Sequence, residues 1–168
     1  MSNWGIRRVA AVLLVTYIGA AAAIVLWPTP VDGGLKSQLK GAILQLQDAG
    51  APHFVNYGFI ESAANVVFFV PLGVLVTVML ARSKWWVAPL VGSTLSTAAE
   101  VAQLLFLPHR FATLADVAAN TSGAIIGTVA VLAARGTLLA VARLGAERIT
   151  ATSAAPHGSA SLLAFVDA

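Results

Sequence analysis

Between Arg8 and the Pro28-Thr29-Pro30 break the chain carries no charged residue, and residues 60–80, 85–107 and 114–134 are apolar stretches holding one acidic residue each. A helix needs about 20 apolar residues to cross a hydrocarbon layer ~30 Å thick. The pattern therefore predicts an all-α, polytopic membrane helix bundle with four transmembrane helices, at residues 9–27, 60–80, 85–107 and 114–134. Composition closes the soluble alternative: of 168 residues 58% are hydrophobic and 10% charged, against roughly 25% charged in a soluble domain. Ten Lys and Arg and seven Asp and Glu cannot coat a globule of this size with polar surface. The basic start of the first run resembles a secretory signal, but its apolar stretch is longer than such a signal needs, so we read it as a retained anchor.

Positive charges set the expected orientation. With the N-terminus in the cytoplasm, Arg7, Arg8, Arg82, Lys84, Arg135, Arg143 and Arg148 lie inside and Lys36, Lys40 and Arg110 outside, which places both termini in the cytoplasm of a multi-pass cell-membrane protein. Trp27, Trp85 and Trp86 fall at span ends, where indole rings favour the interface. No basic stripe with interleaved aromatics appears, so nucleic acid is not an expected partner; membrane lipids are. The chain lacks cysteine, which removes disulfides, thiolate metal sites and a thiol nucleophile. His53, His109 and His157 are dispersed, so neither a metal nor another cofactor is expected.

Residues 1–150 read as a single transmembrane domain, and residues 151–168 as a flexible tail rich in Ala, Ser, Thr and Gly. In the first external loop Leu35, Leu39, Ile43 and Leu46 recur at helical spacing before a Gly50-Ala51-Pro52 stop. That spacing predicts an amphipathic helix, lying on the outer interface or packed across the bundle mouth.

Ionisable groups inside a bilayer are costly, so each needs a reason. Glu100 and Gln103 share a helix face, and Glu100 lies about 10 Å below the outer end of its span at ~1.5 Å per residue. Asp116, Asn120, Gly123 and Gly127 draw one stripe down the fourth span. Asn65 lies above Pro71-Leu72-Gly73 in the second. With Glu61 and Arg110, these polar residues all fall in the outer half of the membrane and predict one cluster there. Local structure accounts for part of the pattern. Thr113-Leu114-Ala115-Asp116 fits a capping box; Gly123 and Gly127 form a small-xxx-small packing face, with Gly73 and Pro71 as further packing positions. Pro71 predicts a kink that frees a carbonyl for Asn65 or a neighbour. Arg110, following Pro108, is expected to reach back to Glu100 or Asp116 as an ion pair.

The ordered set, Asn65 with Phe68-Phe69-Val70-Pro71-Leu72-Gly73, Glu100-Val101-Ala102-Gln103, Arg110, then Asp116 to Asn120 to Gly123 to Gly127, resembles the VanZ-like family across residues 61–134. The first span and the tail carry none of these pieces. The stretch between Arg110 and Asp116 lacks a second acidic residue that some relatives have. The resemblance implies a multi-pass membrane protein and a link to resistance to the glycopeptide teicoplanin and to cell-envelope processes, without implying a reaction.

Three functions are compatible with the residues. Asn65, Glu100, Gln103, Arg110, Asp116 and Asn120 can bind the polar headgroup of a lipid-linked cell-wall intermediate or of a glycopeptide antibiotic. Alternatively, Glu100 or Asp116 acts as the acid-base group of an intramembrane enzyme, with Arg110 stabilising developing charge. No nucleophile or phosphate-binding motif accompanies them. The third possibility is a scaffold in which the cluster only fixes helix register. Oligomeric state is not set by the sequence.

Overall fold

A computed structural model describes residues 3–25, 35–106 and 113–154. They form five helices: α1 (Asn3–Val25), α2 (Lys36–Asp48), α3 (Tyr57–Met79), α4 (Val87–Phe106) and α5 (Leu114–Ala154), with a 3-10 turn at Arg82–Lys84 before α4. The described residues contain no strand. The chain divides into two compact units, Met1–Leu132 and Ala133–Ala168. All packing described below belongs to the first.

Among the described residues three stretches are long and apolar enough to cross a membrane: Trp4–Ile24, Tyr57–Met79 and Leu114–Glu147. The expected third span coincides with α4 in position, but Ser93, Thr94, Ser96, Thr97, Glu100 and Gln103 dilute its apolar character below that of the other three. The surface is inverted relative to a soluble protein. Val12, Val15, Val67, Leu104, Leu105 and Phe106 are exposed, while the buried hydrophobic residues include Ala10, Leu72, Val76, Ala88, Ala119 and Ala124. Where lipid tails are as apolar as leucine, helices gain little by burying large side chains and associate instead through close packing and hydrogen bonds.

That packing is built from glycine. A Cβ on Gly73 would strike the carbonyl of Ala124, one on Gly123 the carbonyl of Val66, and one on Gly127 the carbonyl of Val70. The α3 and α5 backbones therefore touch along the predicted small-residue face. On α4, a Cβ at Gly92 would lie 2.6 Å from Cβ of Ala124, so α4 closes on the same point. A buried hydroxyl pair reinforces the seam: Thr77 Oγ1 donates to Thr128 Oγ1 at 3.1 Å, and Thr128 donates to the Ala124 carbonyl at 2.8 Å. Pro71 departs from its expected packing role. It is exposed, helix α3 continues through it, and the buried positions beside it are Leu72 and Gly73.

Helix α1 turns Ala10, Leu14 and Tyr17 inward, at helical spacing, against the α3 and α4 core. Tyr17 donates its hydroxyl to the Phe68 carbonyl at 2.7 Å. The carbonyl that Pro71 leaves without its helical donor is that of Val67, one residue earlier, so Tyr17 does not serve it, and Asn65 is engaged with Asp116. Arg7 and Arg8 lie within α1 and not ahead of it. Arg7 Nε donates to the Met79 carbonyl at 2.9 Å, satisfying a C-terminal carbonyl of α3, and the Arg8 guanidinium stacks 3.4 Å from the Trp4 ring centroid. Trp27 lies outside the described residues.

The loop helix forms as the spacing predicts. Helix α2 ends where Gly50 takes a φ of +101°, a left-handed conformation suited to glycine. Ile43 is buried, but Leu35 and Leu46 stay exposed, so a single residue of the apolar stripe anchors α2. Gln47 Nε2 donates to the Val55 carbonyl at 3.0 Å, and the ammonium groups of Lys36 and Lys40 lie 4.8 and 5.7 Å from the Tyr57 ring centroid. These contacts hold α2 at the N-terminal end of α3.

At the other end of the sequence, α5 overruns its expected limit at residue 134. It has 41 residues, about twice the number that one membrane crossing needs. The charge at Arg135 ends the apolar run but not the helix, and Gly136 costs only about 1 kcal/mol relative to alanine in a helix. Residues 151–154 of the expected flexible tail are helical; the rest of the tail lies outside the described residues.

Candidate polar site between three helices

The polar residues selected from the sequence converge where α4 ends and α5 begins. Thr113 organises the junction as the residue preceding α5. Its Oγ1 accepts from Asp116 N at 3.1 Å and donates to Asp116 Oδ2 at 2.7 Å, the capping arrangement expected from Thr113-Leu114-Ala115-Asp116. Its backbone N donates at 2.9 Å to Glu100 Oε2 on α4. Asp116 then reaches α3: Asn65 Nδ2 donates to Oδ1 at 2.7 Å. One threonine and two carboxylates thus join three helices. Glu100, Asn65 and Asp116 are half-buried, at the edge of the bundle.

One turn deeper on α5, Asn120 is 91% buried and donates from Nδ2 to Ser96 Oγ on α4 at 2.8 Å. Its other polar atom, Oδ1, is buried without a hydrogen-bond partner. Such an acceptor is costly and rare in folded proteins. Gln103, on the Glu100 face of α4 as predicted, is also buried. Glu61 is exposed near the start of α3.

Asn65, Glu100, Asp116 and Asn120 therefore belong to one connected region, and Gly123 and Gly127 continue the Asp116–Asn120 stripe into the glycine seam. Arg110 and His109 lie outside the described residues, so the expected ion pair of Arg110 with Glu100 or Asp116 lies there too. Sequence reasoning missed Ser96 and Tyr17. Both are ordinary residues in apolar helices, and only the neighbouring helix reveals that each meets a polar partner. Thr113 was visible as a cap, but its bond to Glu100 was not.

Chemically the site is rich in acceptors. Asp116 offers both oxygens to internal donors, Glu100 takes a backbone N–H, and Asn120 Oδ1 is open. Among the described residues no group of three or more His, Cys, Asp and Glu side chains is placed to hold a metal. The arrangement can fix helix positions and can accept hydrogen bonds from hydroxyl, amide or ammonium groups arriving at the bundle edge.

No curated protein and no solved structure matches the chain. A family match, VanZ/LLP1, covers residues 14–135. It takes in the motif-bearing helices and also the second half of α1 and all of α2, so the resemblance is wider than the residues 61–134 that carry the recognisable pieces. With more than half of the chain matched around this junction, the protein belongs to the VanZ/LLP1 family.

Proposed function

We propose that this is a four-span cell-membrane protein, α4 being the remaining span, that binds the donor-rich polar headgroup of a membrane-borne ligand at the α3–α4–α5 junction. The observation that carries the reading is the unpaired Oδ1 of Asn120, buried one turn below two carboxylates that project from different helices. Sugar hydroxyls and peptide amides supply donors to such a set, which suits a lipid-linked cell-wall intermediate or a glycopeptide antibiotic. The apolar helix faces accommodate a lipid tail. Asn65, Glu100, Gln103, Asp116 and Asn120 are the proposed contacts. Arg110, placed between Glu100 and Asp116 in the sequence, is the proposed partner for phosphate or carboxylate. Binding is favoured over acid-base catalysis because both Asp116 oxygens are already committed to donors within the bundle.

In this reading the physiological consequence is lowered susceptibility to teicoplanin. The test compares cells expressing the wild type, Glu100→Gln, Asn120→Leu and Arg110→Ala, with membrane levels of each protein matched. Reduced susceptibility conferred by the wild type and lost in the three variants is the expected result. Binding of labelled teicoplanin to the purified protein should weaken in the same three variants. Equal susceptibility in all four strains, with no binding by the wild type, would leave the junction as a scaffold.

A further inference from the structure

Among the described residues of the first unit one end carries only basic groups, whereas the other mixes acidic groups with Lys36 and Lys40. Arg7 and Arg8 are near the start of α1, and Arg82 and Lys84 occupy the turn after α3; all four are exposed. The bond from Arg7 to the Met79 carbonyl brings the two pairs to the same end of the bundle. The described acidic residues of this unit lie at the opposite end: Asp48 on α2, Glu61 at the start of α3, Glu100 near the end of α4 and Asp116 at the start of α5.

At the basic end a groove of about 260 Å³ opens on the bundle surface, lined by Trp85, Pro89, Ile125, Thr128, Val129 and Leu132. Its wall is carbon. The one hydroxyl there, on Thr128, is turned inward to Thr77 and the Ala124 carbonyl. Trp85 lines the groove and directly follows Lys84, so the basic turn Arg82–Lys84 adjoins the groove along the chain. An apolar groove on a lipid-facing surface accepts an acyl chain of any lipid; exposed cations in the adjoining turn can discriminate by headgroup.

We propose that this groove is a binding site for an anionic phospholipid, with one acyl chain between Trp85 and Leu132 and the phosphate paired with Arg82 and Lys84. Arginine and lysine supply charge-assisted donors to phosphate oxygens, and an indole at the groove mouth suits the boundary between headgroup and tail. The site is separate from the polar junction and does not depend on what binds there.

The test uses the full chain in nanodiscs of equal phosphatidylglycerol and phosphatidylcholine, with retained lipid counted by native mass spectrometry. The wild type should retain phosphatidylglycerol with roughly thirtyfold preference, the order expected for two cations near a membrane surface. Arg82→Gln with Lys84→Gln should equalise the two lipids. Val129→Trp, a change at an exposed position that fills the groove, should remove both. Lys36→Gln with Lys40→Gln, at the other end of the bundle, should change nothing. In a chain whose Trp4, Trp27 and Trp86 are phenylalanine, phosphatidylglycerol with brominated acyl chains should quench Trp85 more than the phosphatidylcholine equivalent. Preference that survives loss of Arg82 and Lys84 would overturn the site. So would retention unaffected by Val129→Trp, because attraction to a basic surface needs no groove.

Discussion

The middle of the first unit and its polar end join the same helices by opposite means. In the middle, Gly73, Gly123 and Gly127 remove side chains altogether, and the α3 and α5 backbones touch. At the end, Asn65, Glu100, Thr113 and Asp116 extend side chains across the gaps and link three helices by hydrogen bonds. The first arrangement has no slack, since any added atom meets a backbone carbonyl. The second is adjustable, because partly exposed polar side chains can exchange partners with water or headgroups. Rigid packing beneath an adaptable polar rim is a sound physical basis for a site that must hold its shape and still admit a ligand.

The contrast predicts a graded series of substitutions, measured by thermal unfolding in a fixed detergent and by cysteine cross-linking of α3 to α5. Gly123→Ala should be the most damaging. Overpacking typically costs about 1–3 kcal/mol and sometimes more, and here the obstacle is backbone that cannot rotate away. Survival of Gly123→Ala at wild-type stability would show that the helices are not in backbone contact. Asp116→Ala should follow, at about 2 kcal/mol, because it removes two hydrogen bonds and the negative charge in the first turn of α5 and leaves the Asn65 amide without its acceptor, although Thr113 still caps the helix through the backbone. Asp116→Asn should recover part of the loss by keeping an acceptor for Asn65. Tyr17→Phe should cost about 1 kcal/mol, the usual net value of one hydrogen bond, and should loosen α1 without disturbing the polar end. Thr77→Val should cost about 0.6 kcal/mol, the average for such bonds between membrane helices, since Thr128 keeps the Ala124 carbonyl. Gly136→Ala closes the series with no loss or a small gain, because a Cβ there meets nothing and alanine favours the helix by about 1 kcal/mol.

Much of this comparison was already present in the residue pattern. The Asp116, Asn120, Gly123, Gly127 stripe fixed which face of α5 turns inward, because a helical period of 3.6 leaves no other face for them. The capping box located the start of α5 by a rule that needs only four consecutive residues. Other features failed for identifiable reasons. The end of α5 was misplaced because a charge bounds an apolar run, whereas a helix ends only when backbone hydrogen bonds are interrupted. Pro71 was assigned to packing because it sits beside Leu72 and Gly73, but adjacent helix positions point about 100° apart and only those two are buried. The roles of Tyr17 and Ser96 depend on partners 51 and 24 residues away, a separation across which no local pattern operates.

By itself, then, the sequence determined helical character, the apolar outer surface and the inward stripe of α5, all consequences of period and hydropathy along one element. Tertiary structure decided which polar groups meet. It gave Asn65 to Asp116 and Tyr17 to the Phe68 carbonyl; it tied Glu100 to the backbone of Thr113 and left Asn120 Oδ1 buried without a partner. Hydrogen bonds are directional and extend only about 3 Å. Their pairing is therefore set by how closely and at what angle the helices approach, and in this bundle three glycines set that approach.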